Sequence, residues 1–181
     1  MNYKDFVIDL AYKAGERMRK DFTLGMKKEW KKDKTPVTIT DTEVNRMVIE
    51  AIEKEYPKHS ILGEEESKMK DSEYVWVCDP LDGTVPFAHG TPTFAFSLAL
   101  VHEGKPIMGV IYDPILDRLV YAEKGKGAFL NDKRTKVSSR KTLPMSLIDI
   151  GDKRMQYAKL VLSEKDVHIT RMASCVYAGL L

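Results

Sequence analysis

"WVCDPLDGTVPFAHG", Trp76–Gly90, is the stretch that decides how this chain is read. An apolar run rich in β-formers, "YVWVCD", ends in two carboxylates, Asp79 and Asp82, three residues apart. Pro80 stiffens the link between them, and the Leu81 carbonyl offers one more oxygen. Gly83 lets the backbone approach a ligand closely. Thr84 adds a hydroxyl and a backbone N–H. Pro86 fits the first turn of a helix, where its missing N–H costs nothing. A helix beginning at Gly83–Thr84 aims N–H groups at an anion such as phosphate. The stretch reads as a loop folded around one cation and joined to an anion cradle.

A DxxD pair alone is common turn chemistry, so the weight rests on its company. "SILGEEE" is a second short apolar run that ends in acids, Glu64, Glu65 and Glu66. If this run pairs with "YVWVCD", Glu64 meets Asp79 and Asp82. Carboxylates crowded together raise each other's pKa, and a divalent cation removes the conflict. An all-oxygen ligand set suits magnesium or manganese rather than zinc or copper. Asp41 opens a helix, where its charge complements the helix dipole even without a ligand. Together these features describe metal-assisted phosphoester hydrolysis: one ion lowers the pKa of a water, and a second, if present, steadies the leaving oxygen.

Outward from this centre, residues 2 to about 24 read as an amphipathic helix with Val7, Leu10, Ala11, Ala14, Met18 and Phe22 at helical spacing. "MKKEWKKDKTPVTIT" is the most basic stretch. It reads either as a solvated hairpin or loop or as a lobe that attracts an anionic substrate. "TDTEVNRMVIEAIEKEYP" is a helix with a capping box expected between Thr40 and Glu43, an apolar stripe from Val44 to Ile52, and Pro57 beyond its end. "TFAFSLALVHEG", "PIMGVIYDP", "RLVYAEKGKGAFL" and "MSLIDIG" read as strands between Gly, Pro and Asp turns. A helical stretch is expected after Gly151, and "MASCVYAGLL" reads as the start of a buried helix. Two helices, a block of strands and then helix give an α+β layered architecture, in one domain spanning 1–181.

The chain has 181 residues, 43% of them apolar, with 29 basic and 27 acidic residues. Its formal net charge of +2 gives no reason to expect nucleic acid or a membrane surface as a partner. Cys78 and Cys175 form no CxxC pair, which argues against zinc, and Cys78 sits in an apolar run as a core residue would. A reducing cytoplasm is the expected compartment. His89 and His102 read as structural, and His59 and His168 have no partner visible in the sequence.

"DPLDGT", "GEE" upstream of it and "TPVTITD" before that resemble the inositol monophosphatase family of metal-dependent, lithium-sensitive sugar phosphatases. "HGTPTFAFSLAL", "GVIYDPILDRLVYAEKGKGAFLND" and, more weakly, "ITRMASCVYAGLL" extend the resemblance over nearly the whole chain. The resemblance implies a layered α/β/α/β/α sandwich of the inositol monophosphatase and fructose-1,6-bisphosphatase type. It implies that Glu64, Asp79, the Leu81 carbonyl and Asp82 hold Mg²⁺, or Mn²⁺, with Glu65 beside them. Thr84 and Glu64 are expected to orient the attacking water, Asp41 to contact a further metal or its waters, and the Gly83 and Thr84 amides to hold the phosphate. Water attacks phosphorus directly in this family, without a phosphoenzyme, and a homodimer is the implied assembly.

Two departures stand out. The family usually has Asn where Pro86 stands, and its members continue to a "WDxAAG"-like motif, whereas Trp30 and Trp76 precede Lys31 and Val77 here. The chain is therefore expected to lack the C-terminal part of the domain. Inositol 1-phosphate is the leading substrate. 3′-Phosphoadenosine 5′-phosphate, histidinol phosphate and fructose 1,6-bisphosphate are the alternatives, "KKDKTPVT" pointing toward the nucleotide and histidinol branches. A different reading is an inactive, partner-binding fragment.

Overall fold

The computed structural model describes residues 2–22, 29–30, 36–144, 146–149, 167–170 and 176. Helix α1 spans Tyr3–Asp21, and Asn2 caps it by accepting the Asp5 N–H at 2.9 Å. Its apolar stripe, from Phe6 through Met18, is buried as the spacing predicts. The short strands β1 (Glu29–Trp30) and β2 (Pro36–Val37) pair antiparallel, so the basic stretch is a hairpin at its base.

Helix α2 covers Ile39–Glu55, and its cap, Thr38, stands two residues before the expected Thr40. The capping box is Thr38 with Asp41, not Thr40 with Glu43. The Asp41 carboxylate accepts the Thr38 N–H at 2.7 Å and the Thr38 hydroxyl at 2.5 Å. Thr40 and Glu43 lie inside the helix and face α1. The Thr40 hydroxyl donates to Asp21 at 2.9 Å, and Glu43 pairs with Arg17, which also holds Asp21 at 2.7 Å. A capping pattern carries no tertiary information, and "TIT" offers it two threonines to choose from.

The strands are β3 (Ser60–Gly63), β4 (Tyr74–Asp82), β5 (Ala95–His102), β6 (Lys105–Asp113), β7 (Arg118–Glu123), β8 (Gly127–Leu130) and β9 (Lys133–Arg134), with a single-turn helix α3 (Thr84–Ala88) between β4 and β5. They form one seven-stranded sheet in chain order. β3 and β4 are parallel, and each later pair is antiparallel. Glu103–Gly104 and Asn131–Asp132 join their hairpins with positive φ at both turn positions, the twist that two-residue connections require. β10 (Leu147–Asp149), within the expected "MSLIDIG" strand, and β11 (His168–Thr170), a strand the sequence reading did not expect, make a separate parallel pair. The helix expected after Gly151 lies outside the described residues, as does the C-terminal one except for Val176, which is helical. Among the described residues no helix is long and apolar enough to cross a membrane.

The core lies between α1, α2 and one face of the sheet. Trp76, Phe96, Leu98, Leu100, Val110 and Tyr112 alternate inward along β4, β5 and β6 and meet Leu10, Met18, Val48 and Ile52 of the helices. Cys78 is a free, buried thiol in this core, and burial pushes its pKa well up. The end of α1 is fixed to the β6–β7 turn by Arg19, which donates to the Tyr112 hydroxyl at 3.0 Å and the Pro114 carbonyl at 3.1 Å.

α1 approaches β6 closely at Gly15, where an added Cβ would overlap the Tyr112 ring and come within 3.0 Å of Pro114. Gly15→Ala is therefore expected to lower stability by about 1–3 kcal/mol, the range for overpacking, despite its better helix propensity. Urea unfolding checks this, and a more stable variant would contradict the close contact.

Candidate active site

Parallel pairing of β3 with β4 sets the site. Gly63 stands opposite Cys78, and the Glu64 N–H donates to the Cys78 carbonyl at 3.1 Å. The chain end of β3 thus delivers Glu64 beside Asp79, as the sequence reading expects. β4 then breaks register against β5 between Asp79 and Asp82, so the DPLD segment bulges at the sheet's end. The Leu81 side chain is fully buried, which anchors the bulge, and the Leu81 N–H donates to Asp79 Oδ1 at 3.2 Å.

The charge conflict expected of this cluster is present. Asp79's carboxyl is pushed up to about 8, first by burial and then by the charges of Glu64 and Asp82. These groups are carboxylates and a backbone carbonyl, with the excess negative charge that a hard divalent cation would offset, so they fit such a cation.

Asp41 enters from the first turn of α2 and is fully buried. Besides Thr38, it accepts the Thr84 hydroxyl at Oδ1, 3.0 Å away. Burial pushes Asp41's carboxyl up, against the bonds from Thr38 and Thr84 that lower it. The Thr84 hydroxyl also lies 3.1 Å from the Leu81 carbonyl. Asp41, Thr84 and the Asp79–Asp82 bulge are therefore one connected unit. Gly83 caps α3 in the left-handed region, φ 90°, and the backbone turns there from strand into helix. Pro86 falls in that first turn, as expected. Glu65 follows Glu64 in the loop leaving β3.

Sequence reading missed three contributors. Asn45, on α2 and nearly buried, donates to the Glu66 carbonyl at 3.1 Å and ties down the Glu64–Glu66 segment. Ser67 closes the same turn by accepting the Gly63 N–H at 3.2 Å. The Val176 N–H donates to Asp82 Oδ2 at 2.9 Å, from 94 residues away in sequence. Asn45 stands out in the sequence only as a polar residue beside Val44 in an apolar stripe. Nothing in the sequence marks the other two.

The histidines lie elsewhere. His89 Nδ1 is 2.8 Å from the Val85 carbonyl, as a structural residue would be. His102, Glu73 and Glu103 bring ligand-type atoms within 4.8 Å of one another, but at the opposite end of β4 from Asp79. His59 does have a partner, the indole N–H of Trp76 at 3.0 Å.

A sequence model of the Inositol monophosphatase family matches residues 2–178. The "Inositol-1-monophosphatase" of Rhizobium meliloti (strain 1021) is 37% identical over 149 residues, 80% of this chain and 56% of that protein. The "Fructose-1,6-bisphosphatase/inositol-1-monophosphatase" of Thermotoga maritima is 41% identical over 107 residues, 59% of this chain and 41% of that protein. Among solved structures, a Thermotoga maritima IMPase superimposes with a TM-score of 0.87 at 34% identity, covering 96% of this chain and 69% of that one. The chain belongs to the inositol monophosphatase family, with its layered α+β fold. It spans little more than half the length of the curated relatives it matches, 56% of the Rhizobium protein.

With its carboxyl pushed up to about 8, Asp79 would have to release a proton if it held a cation near neutral pH. Mg²⁺ binding should therefore release protons, and its affinity should rise up to about tenfold per pH unit before levelling off above about pH 8. Isothermal titration calorimetry in two buffers of different ionisation enthalpy measures this. A pH-independent affinity without proton release would contradict the crowded-carboxylate geometry.

Proposed function

We propose that this chain carries the metal and phosphate centre of a Mg²⁺-dependent phosphate monoester hydrolase, with inositol 1-phosphate as substrate. The observation that carries the proposal is the joining of two features in one unit: the crowded carboxylates Glu64, Asp79 and Asp82, and the Thr84 hydroxyl bonded to buried Asp41. Glu64, Asp79, the Leu81 carbonyl and Asp82 are assigned to the cation. A divalent cation held there supplies charge to the phosphoryl oxygens and lowers the pKa of a water in its coordination shell.

The Thr84 hydroxyl has one proton, and both of its partners, Asp41 Oδ1 and the Leu81 carbonyl, are acceptors. Its oxygen is left to accept from a further donor. A water that donates to Thr84 and to the Glu64 carboxylate turns a lone pair toward phosphorus, which is the role assigned to this pair. Asp41 acts by fixing the direction of the Thr84 proton. The Gly83 and Thr84 amides begin the turn of α3 and are assigned to the phosphate oxygens. In the reaction the water oxygen bonds to phosphorus, the ester P–O bond breaks, and the departing alkoxide takes up a proton.

The second reading, hydrolysis of fructose 1,6-bisphosphate, is favoured by the name of the Thermotoga relative, which pairs both activities. We further place the protein in the cytoplasm, where reducing conditions suit the buried Cys78 thiol, and expect the homodimer that the family resemblance implies.

The test is phosphate release by the 181-residue chain, with and without Mg²⁺, from inositol 1-phosphate and fructose 1,6-bisphosphate. Mg²⁺-dependent release is expected. Asp82→Asn should reduce it by more than the roughly 10–100-fold that follows loss of a partner behind a metal ligand. A variant as active as the parent would remove the loop from the chemistry. A folded chain that binds Mg²⁺ yet releases no phosphate would make it a binding module.

A further inference from the structure

The end of β4 opposite the carboxylates carries a different construction. His59 lies in the turn between α2 and β3, with its N–H donating to the Tyr56 carbonyl at 3.0 Å. Its ring is sandwiched between Tyr56, with centroids 5.2 Å apart and planes at 15°, and Tyr74, at 4.7 Å and 9°. Tyr3 of α1 packs at 6.1 Å. His102 stacks on the far side of Tyr74 at 4.1 Å. Through this stack α1, α2, the turn and β4 are held together.

The Trp76 indole N–H reaches His59 Nδ1 at 3.0 Å, and Trp76 is completely buried. An indole N–H can only donate. Nδ1 must therefore keep its lone pair, and the ring is the neutral tautomer protonated at Nε2. A proton added to Nδ1 would set N–H against N–H and leave a buried donor without its acceptor, a cost on the order of 1–3 kcal/mol.

We propose that His59 is an acid-sensitive joint: protonation of Nδ1 breaks its bond to Trp76 and releases the α2–β3 turn from β4. The turn links the helix whose first turn holds Asp41 to the strand that delivers Glu64, so the joint lies between two elements of the candidate site. The titratable groups facing His59 are Tyr3 of α1, Tyr56 of α2, Tyr74 of β4 and Lys70 of the β3–β4 connection, with His102 behind Tyr74. None of these is a carboxylate. Of the carboxylates around the stack, Glu53 is paired with Lys70 at 3.6 Å and with Lys68 at 2.8 Å, Glu73 lies 3.6 Å from His102 Nε2, and Glu55 acts on Tyr56. Burial and Lys70 accordingly lower His59 from its ordinary value of 6.5.

The sign follows. With its pKa depressed on folding, neutral His59 gives its full contribution to stability above about pH 6.5. The contribution is lost as pH falls toward the folded-state value, because the unfolded chain binds the proton more readily.

The experiment is an NMR pH titration of the intact chain from pH 8 to 5. It follows the His59 ring carbons and the Trp76 indole N–H, with Trp30→Phe to assign the indole signal. His59 is expected to titrate below 6.5, and the Trp76 indole proton to move upfield with the same midpoint as its hydrogen bond breaks. In His59→Asn, whose Oδ1 stands where Nδ1 was, the indole signal should not move. The parent and this variant share the raised Asp79 and Asp41 carboxyls. Relative to the variant, the parent's unfolding constant should rise as pH falls below 6.5, by at most about tenfold per pH unit. A His59 midpoint at or above 6.5, or an indole signal that ignores the His59 titration, overturns the proposal from the parent spectra alone.

Discussion

The parallel registration of β3 on β4 is the constraint on which the site depends. A parallel neighbour obliges the chain to return to the starting edge before β4 begins, and residues 64–73 make that return. Both strands then finish at the same end, so Glu64 and the Asp79–Asp82 bulge meet there. α2 precedes β3 through a tight turn and runs against it, which carries its first residues, with Asp41, to that same end. An antiparallel β3 would have placed Glu64 beside Tyr74 and left Asp79 with Asp82 but without Glu64 to oppose it. Topology, more than any single contact, concentrates the charge.

The same arrangement divides the layer into two ends with opposite chemistry. At the carboxylate end, burial first and then the charges of Glu64 and Asp82 push Asp79's carboxyl up, so its charged form opposes folding. At the other end, the rings of Tyr3, Tyr56, His59, Tyr74, Trp76 and His102 pack stacked, tilted or edge-on, and Trp76 and Tyr3 meet edge-on at 5.9 Å. Aromatic contacts of this kind contribute about 0.5–1.5 kcal/mol each beyond the area they bury. A cluster of crowded, buried carboxylates requires rigid support, and the ring cluster supplies it from the opposite end of β4. Between the two ends run the buried faces of α2 and β4.

Much of this was legible in the sequence because it follows from local periodicity. Alternation in "TFAFSLAL" and "GVIYDP" marks β5 and β6, and helical spacing marks α1 and α2. The convergence of Glu64 with Asp79 and Asp82 was legible for a subtler reason: two strands that each end in acids have few ways to pair. The start of α2 was read two residues late because a choice between Thr38 and Thr40 is settled by Asp21 and Arg17 of another helix. His59 was read as partnerless because its acceptor role depends on Trp76, and the register that joins them is a property of the folded sheet. The contacts made by Asn45 and Val176 are tertiary in the same sense.

Val176 shows why the second face of the sheet belongs to the site. Across that face Leu62, Val77, Ala99, Gly109 and Ala122 stand opposite one another in register, strand by strand, so the row is apolar from β3 to β7. Leu62 is 48% exposed and Val77 36%. Val176 packs on the same face near Ala95, Ile111 and Val120, while its N–H holds Asp82. Asp82 closes β4 at the point where the two faces meet. Its backbone belongs to the bulge that α2 and Thr84 brace from one side, and its carboxylate is held from the other. Packing on the second face and the orientation of a proposed metal ligand are therefore coupled through one hydrogen bond. A segment far from the DPLDGT loop in sequence helps set the loop's charge geometry without contributing an acid of its own.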